Sequence, residues 1–500
     1  DVPTLDQLLS SGRPGSRTAV VDGDVTLDAA SLERAVGALA GSLRSSGVRR
    51  GDVVAWQLPN WWEAVALFRA AWRCGAIAAP IHHQVGPSEV GRMLDYLRPA
   101  VSLSAAGLPL GDLVPTIRVR GDDPGFDGLL TGARLGAGTA RGVDLAVVLF
   151  TTGSTGDPKA VLHTHRGLAY KARSMVRAHG LTGRDTALMP SPLAHVSGLL
   201  NAVLVPGTAA MPVVLMEKWD PALGVRLAGE HAVSFMIGPP TLFLGMMDVP
   251  NMRSSTTSLR VVSCGGMGVT PEFVEDARRQ LGATVKRTYG STEAPTVTTC
   301  MVTDSPDKAR DTDGRSVGEA VIKVAEPGSG RAVRPGERGE VLLRGPELFV
   351  GYGQAEQTGR AVRRGWFATG DLGTLDDAGW LTIVGRVKDV IIRAGENIAS
   401  AEVERLLELH PSVRQAVVVG CPDERLGERV AAFVVGDGGI DVEECRHWFS
   451  SNGVARFKTP ELVVHIDEIP LLGIGKPDRT TLRDRAAQLA GAARLAGAKR

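Results

Sequence analysis

An apolar run, Leu145-Ala146-Val147-Val148-Leu149-Phe150, passes without a break into Thr151-Thr152-Gly153-Ser154-Thr155-Gly156-Asp157-Pro158-Lys159-Ala160. Such a run ending at a glycine-rich turn reads as a buried strand entering a loop. The loop chemistry suits a polyphosphate: small residues let backbone N–H groups approach the oxygens, hydroxyls donate, and Lys159 supplies charge. The spacing departs from GxxxxGK[ST], because Ala160 follows the lysine, and so disfavours a Walker-type NTPase. Taken alone, the stretch also fits an ordinary Ser/Thr/Gly turn after a strand.

A chain of 500 residues exceeds what one core usually organises, so two or three subdomains are expected. Its 56 Lys+Arg nearly cancel 55 Asp+Glu, which gives no electrostatic footprint for nucleic acid or an acidic membrane and points to a small-molecule partner. The cysteines, Cys74, Cys264, Cys300, Cys421 and Cys445, are odd in number and form no CxxC pair, as in reduced cytosolic proteins. There is no apolar run of about 18 residues and no charged-then-apolar leader, so the expected location is cytoplasmic, with no membrane span.

Strand and helix patterns alternate through the first part. A strand is expected over 18–21, an amphipathic helix over 28–45 with Leu32, Val36, Leu39 and Leu43 on its apolar face, a strand over 52–56, a helix over 61–73 and a strand over 75–80. Past the glycine-rich loop, strands over 186–189, 211–215, 233–237, 259–264 and 284–288 continue a large α/β unit. Ligands in such sheets lie beyond the carboxyl ends of the strands. Those ends carry Thr151 to Lys159, His195, Gly238-Pro239-Pro240, Cys264-Gly265-Gly266 and Tyr289-Gly290-Ser291-Thr292-Glu293.

From about 315 the pattern changes to short alternating strands, a β-rich subdomain over 315–387. A compact α+β pattern follows from Lys388 to Arg500, where the main boundary is placed. The Ala-rich end, 486–500, carries no partner signal and is expected to fray.

Several stretches combine the groups that nucleotide chemistry uses. Tyr289 to Glu293 offers a ring to stack on a base, a hydroxyl for a phosphate and a carboxylate for Mg²⁺, although it also fits a strand-end turn. Trp366-Phe367-Ala368-Thr369-Gly370-Asp371 sets a carboxylate where it could accept from a ribose diol, or merely form a turn. Gly385-Arg386-Val387-Lys388-Asp389 and Gly395-Glu396-Asn397-Ile398 flank Val390-Ile391-Ile392 as a hairpin would. Gly473-Ile474-Gly475-Lys476 sets one lysine on a glycine-bearing loop.

In this order and spacing the stretches resemble the adenylate-forming superfamily of acyl-CoA synthetases, nonribosomal adenylation domains and luciferases, over about 18–482. The resemblance implies a large N-terminal α/β domain (1–387) and a small mobile C-terminal α+β lid (388–500). It makes Thr151, Thr152, Gly153, Ser154, Thr155, Gly156 and Lys159 the pyrophosphate loop. Gly265, Gly266, Tyr289 and Gly290 become the adenine surroundings, Thr292 an α-phosphate donor and Glu293 the Mg²⁺ ligand. Asp371 and Arg386 would bind the ribose, Lys388 would be the hinge, and Lys476 would reach both the carboxylate and the α-phosphate. After lid rotation, the loop carrying Gly395, Glu396 and Asn397 would replace Lys476 and line the pantetheine tunnel. The implied small molecules are ATP, Mg²⁺, CoA and a carboxylic acid.

His195, in Pro192-Leu193-Ala194-His195-Val196-Ser197-Gly198, would border the acid pocket. The remaining lining is expected from Val196, Ser197, Phe235, Gly238, Pro239, Cys264, Gly265, Ala294, Pro295 and Thr296. These are small or apolar, which favours a bulky hydrophobic acid (aryl, alicyclic, terpenoid or medium-chain) over an amino acid. Ala160 stands where the family usually has glycine, and Leu472-Gly473-Ile474 replaces a threonine-containing run. Both departures touch loops used for adenylation, which leaves open an enzyme that mainly thioesterifies acyl-AMP supplied by a partner enzyme. Loading of a carrier protein, a luciferase-like oxygenase and homodimer assembly also stay open.

Overall fold

Apolar runs bounded by turn residues become strands covered on both faces, and this sets the layering of the first part of the chain. The computed structural model describes residues 3–10, 15–121, 125–152, 158–394, 396–423, 425–436, 439–471 and 477–497. The segment Val261–Gly265 is buried at every position. It lies in a nine-stranded sheet in the order Arg315–Ser316, Thr298–Thr299, Thr284–Tyr289, Val261–Gly265, Phe235–Gly238, Ala187–Met189, Val213–Leu215, Thr18–Asp22, Val25–Asp28. From Thr284–Tyr289 to Thr18–Asp22 the strands are parallel, so their carboxyl ends leave the sheet on one side.

A seven-stranded sheet runs in the order Gly351–Tyr352, Pro158–Thr164, Leu145–Thr152, Ile77–Ile81, Val53–Gln57, Val101–Ser104, Ile117–Arg118. Leu145–Thr152 is parallel to Ile77–Ile81, and Pro158–Thr164 returns antiparallel beside it. The glycine-rich stretch is therefore carried on a hairpin, with Thr151 opposite Lys159 and Thr152 opposite Pro158. Gly153, Ser154, Thr155 and Gly156 lie outside the described residues.

Helix Ala29–Ser45 starts at Asp28, whose carboxylate accepts from Ser31 N at 2.6 Å, and buries Leu32, Val36, Leu39 and Leu43 as their spacing predicts. Helix Trp62–Cys74 is buried nearly all round. One core contains residues of both sheets, of these two helices and of helix His165–His179, so helices fill the space between the sheets. The apolar run after His195 forms a π-helix, Leu199–Leu204, buried throughout.

The chain divides into two compact units, Asp1–Ile322 with Leu343–Phe367, and Lys323–Leu342 with Ala368–Arg500. Both large sheets belong to the first, and Lys388 lies within the second. In the second unit, Gln415–Asp423 and Gly427–Val435 form a long antiparallel pair. Val390–Arg393, Glu396–Ala399 and Leu462–His465 complete this sheet. Side chains alternate along it. Val418 and Ala432 pack with helices Ser400–Glu408 and Val442–Ser451. Val417, Val419 and Phe433 pack with helix Arg479–Gly497. That helix corrects the expectation of a fraying end: Ala486 and Ala490 are buried, and Cys421 Sγ donates to Ala486 O at 3.4 Å. An Ala-rich face reads as partnerless in sequence because its small side chains fit close against a sheet that only the fold supplies.

The first unit anchors its N-terminal helix on a histidine. Leu5 N donates to His165 Nδ1 at 3.3 Å, and burial lowers His165 from 6.5 to about 4, against the pull of Asp144 and Asp6. Between those two pH values the unfolded chain binds a proton that the folded chain does not. Stability is therefore full above pH 6.5, falls on acidification and levels off below about 4. In urea unfolding series over this window, His165→Gln is expected to reduce the slope of stability against pH by about one proton. An unchanged slope would refute the assignment.

Candidate active site

Two glycines show how closely the backbone crowds at the end of the nine-stranded sheet. A Cβ on Gly265 would lie 2.3 Å from Thr288 O on the neighbouring strand, and one on Gly290 would lie 2.4 Å from Thr296 N. Gly290 thereby lets the segment from Ser291 to Thr296 fold back on itself. Ser291 N donates to Ala294 O at 3.0 Å and Ala294 N to Ser291 O at 3.2 Å. Thr296 takes a left-handed φ of +35° as the chain leaves.

Three other elements pin this loop. His163 Nε2, on Pro158–Thr164, donates to Thr292 O at 2.7 Å, and the carbonyl acceptor fixes that tautomer. Burial lowers His163 to about 4, so the ring is neutral near pH 7. Phe349 N donates to Glu293 O at 2.8 Å. Lys171 Nζ, on helix His165–His179, donates to Thr296 O at 2.9 Å and meets Glu347 Oε1 at 3.4 Å, with both side chains fully buried. Burial lowers the pKa of Lys171 while the Glu347 carboxylate opposes that shift.

Tyr352 joins the hairpin to this loop. Its Oη donates to Glu293 Oε1 at 2.7 Å, and the Lys159 ammonium lies 5.6 Å from its ring centroid. Burial and the adjacent carboxylate push the phenol well above its usual pKa. Ala160 sits in regular strand opposite Phe150, with its methyl buried beside Val148 and Ile81, so this departure from the family pattern leaves the hairpin intact. Neither Tyr352 nor His163 is singled out by its sequence surroundings.

The carboxyl ends of the two sheets meet through Asn60, which follows strand Val53–Gln57. Asn60 Nδ2 donates to Ser191 O at 2.9 Å and Met216 O at 3.0 Å, while its Oδ1 accepts from Leu193 N at 2.8 Å. His195 follows on that segment, N-terminal to Val196 and Ser197, and its ring lies 4.9 Å from that of His82, which ends Ile77–Ile81. His82 also stacks on His83 at 4.6 Å. Burial, with His195 and His83 adding to it, lowers His82 to about 3, so this ring is uncharged near pH 7.

Among the other expected lining residues, Gly238 and Pro239 stand at the loop end of their strand, and Ala294 and Pro295 are buried in the pinned loop. Phe235 is instead at the start of that strand, buried with its ring 5.0 Å from His179, away from the loop end. Cys264 is buried in the core on one face of the sheet. Gly266 has φ +84° just past the strand.

Strands Trp366–Leu375 and Leu381–Arg386 set Asp371 directly opposite Arg386, both in the second unit, and Arg386 Nε meets Asp371 Oδ1 at 2.8 Å. Lys388 is exposed in a single 3₁₀ turn, Val387–Asp389. Glu396 pairs with Arg393 across the following hairpin, and the Asn397 backbone pairs with Ile392. Gly395 and Lys476 lie outside the described residues. On either side of the undescribed residues 472–476, Leu471 and Pro477 pair in an isolated antiparallel bridge. Arg479, just beyond, donates to Glu404 Oε1 at 2.7 Å and meets Asp389 Oδ2 at 3.7 Å.

A family model described as AMP-binding enzyme matches residues 10–353, and one described as AMP-binding enzyme C-terminal domain matches residues 402–476. The chain belongs to the AMP-binding enzymes. This AMP-binding enzyme is 32% identical over 495 residues to a medium-chain fatty-acid–CoA ligase of Escherichia coli, covering 93% of this chain and 87% of the relative. It is 34% identical over 490 residues to a feruloyl-CoA synthase of Amycolatopsis sp, covering 94% and 96%. The crystal structure of ATP-bound MatB from Rhodopseudomonas palustris superposes with a TM-score of 0.90 at 25% identity, covering 97% and 99%. This AMP-binding enzyme lies in the acyl-CoA synthetase branch of the adenylate-forming superfamily and is an ATP-dependent acid–CoA ligase. Among the described residues no helix is long and apolar enough to cross a membrane, and all five cysteines are buried outside any disulfide.

The pinned loop depends on a buried ion pair. Lys171→Met strands the Glu347 carboxylate without its cation and is expected to lower stability by about 3–5 kcal/mol. The double variant Lys171→Met/Glu347→Leu should recover most of that loss. Urea unfolding of the three proteins measures it, and a double variant no better than the single one would refute the account.

Proposed function

We propose that this AMP-binding enzyme activates a bulky hydrophobic carboxylic acid, aryl, alicyclic, terpenoid or medium-chain, as an acyl-AMP and transfers the acyl group to CoA. The observation that carries the reading is the Glu293–Tyr352–Lys159 arrangement: a carboxylate and an ammonium on two sides of one phenol, beside a hairpin rich in small and hydroxyl residues. Among the described residues no group of three His, Cys, Asp or Glu side chains could hold a metal. A lone Glu293 suits Mg²⁺, which takes most of its oxygens from substrate phosphates and water. Bound there, the cation would offset phosphate charge.

In this reading Lys159 and the hairpin amides hold the β- and γ-phosphates, Thr292 donates to the α-phosphate, and Gly265, Gly266, Tyr289 and Gly290 surround the adenine. Asp371 and Arg386 hold the ribose. The acid's carboxylate attacks the α-phosphorus, pyrophosphate departs, and Lys476 opposes the charge that gathers between them. The C-terminal lid, 388–500, which carries Lys476, then turns about Lys388, so that Gly395, Glu396 and Asn397 border the incoming CoA thiol. The acid lies against His195, Val196, Ser197, Gly238 and Pro239. The His82 ring, kept uncharged near pH 7 by burial and lying 4.9 Å from that of His195, and the names of the two CoA-ligase relatives support a hydrophobic acyl group.

The test pairs two assays over a panel of such acids: pyrophosphate released with ATP and Mg²⁺, and CoA ester formed from free acid or from synthetic acyl-AMP. Both free-acid signals are expected to rise together. Lys476→Ala should lower them by about 10² to 10³ while sparing acyl-AMP turnover. Thioester from acyl-AMP alone would overturn the two-step reading in favour of a partner enzyme that supplies the adenylate. Transfer to a holo carrier protein but not to CoA would overturn the acceptor.

A further inference from the structure

Tyr352 has less freedom than a tyrosine on a two-residue edge strand would ordinarily have. Its strand, Gly351–Tyr352, is antiparallel to Pro158–Thr164 and sets Tyr352 opposite Val161. Val350 N donates to Leu162 O at 2.9 Å, Gly353 N to Ala160 O at 2.8 Å, and Tyr352 N to Thr358 Oγ1 at 2.8 Å. The ring meets Phe349 edge-on at 5.0 Å, and Phe349 meets Phe367 the same way at 5.0 Å. Backbone ladder and ring packing together fix where the hydroxyl points. Its acceptor, Glu293, is tied to the same segment by Phe349 N. Donor and acceptor are thus referenced to one short stretch of chain.

Two consequences follow from the chemistry. A phenol O–H given to Oε1 holds the carboxylate in one rotamer and leaves Oε2 for another partner. The ring face turned toward Lys159 attracts the ammonium as a π-system attracts a cation, without neutralising it. A lysine and a glutamate that met without the phenol would pair with each other, and each would then be lost to a ligand of opposite charge. The geometry points to Tyr352 as a positioning residue that presents Glu293 to a divalent cation and Lys159 to a polyphosphate and keeps the two from pairing. This rests on the reading of Glu293 as the cation ligand given above.

The test uses the full chain, with Tyr352→Phe keeping the ring and removing the hydroxyl. Two quantities are measured: binding of Mn²⁺ in the presence of ATP, followed by the spin-resonance signal of free Mn²⁺, and the Mg²⁺ midpoint of pyrophosphate release. Loss of a group that orients a metal ligand typically weakens the metal by about 10-fold or more. Tyr352→Phe is therefore expected to raise both midpoints by about 10-fold, with the KM for the acid and the rate of CoA ester formation from synthetic acyl-AMP unchanged. Tyr352→Leu, which also removes the ring face, should in addition raise the KM for ATP. Glu293→Gln separates the proposal from the reading beneath it. If Glu293→Gln shifts the Mn²⁺ midpoint and Tyr352→Phe does not, the positioning role is overturned. If neither shifts it, the assignment of Glu293 fails and the proposal fails with it. If Tyr352→Phe also loses acyl-AMP turnover, the residue is structural and the proposal is overturned.

Discussion

A lysine and a glutamate with no access to water hold the candidate site in shape. Lys171 and Glu347 come from a helix between the two large sheets and from the segment that leads into Phe349 and Tyr352. Removing two charges from water costs several kcal/mol each, and their attraction repays this only where the remaining hydrogen-bonding capacity is also met. Here the ammonium donates to Thr296 O, at the exit of the loop that carries Thr292 and Glu293. Glu347 stands two residues before Phe349, whose N–H holds Glu293 O. The pair thereby references both borders of the loop to one buried point, and a shift of either partner would be felt at the carbonyl of Glu293.

The same economy of fixed points joins the two sheets. Parallel strands deliver their carboxyl ends to one side, but two separate sheets need something to register those sides against each other. Asn60 does so by offering its amide to backbone carbonyls that follow two strands of the other sheet, and its carbonyl to Leu193 N. The His82–His195 contact is a second tie two residues further along. Both lie where a turn would otherwise be expected to be mobile, so these strand ends inherit the rigidity of the strands beneath them.

How much of this the sequence discloses depends on whether a residue's reason is local. The strand Leu145–Thr152, the helix capped by Asp28 and the turn at Gly290 could be anticipated, because an apolar run, a cap or a glycine states its own requirement within a few positions, whereas Asp371, read at a turn, lies inside strand Trp366–Leu375 opposite Arg386. Asn60 reads as a turn residue, Lys171 as one more charge on a helix, and Tyr352 as one more aromatic between two glycines after Leu348-Phe349-Val350. Their partners lie tens to more than a hundred positions away, at Leu193, Thr296 and Glu293. Phe235 shows the converse: expected at the pocket, it lies at the wrong end of its strand, because the strand's length, which sequence marks poorly, decides which of its residues reach the loops. The helix Arg479–Gly497 was obscured for a related reason, since alanines carry no periodic signal strong enough to announce a packed face.

Charge is divided within the first unit in a way that bears on what an acid could find there. The Glu293 carboxylate accepts from the Tyr352 phenol, and the Lys159 ammonium faces the same ring. At the ends of the neighbouring strands the titratable side chains are His82, His83 and His195, and burial lowers the pKa of both His82 and His83, with Glu217 pulling His83 the other way. Protonating a stacked pair of imidazoles would set two like charges side by side in a poorly solvated wall, and His83 accordingly helps keep His82 neutral. A neutral aromatic wall offers dispersion contact to an aryl or alkyl chain, whereas a second carboxylate there would meet no compensating charge from these rings. Under the proposed function, the ionic end would take the polyphosphate and the cation and the neutral end the apolar body, with the reacting carboxyl at the boundary, where desolvation on the neutral side strengthens charge interactions on the other.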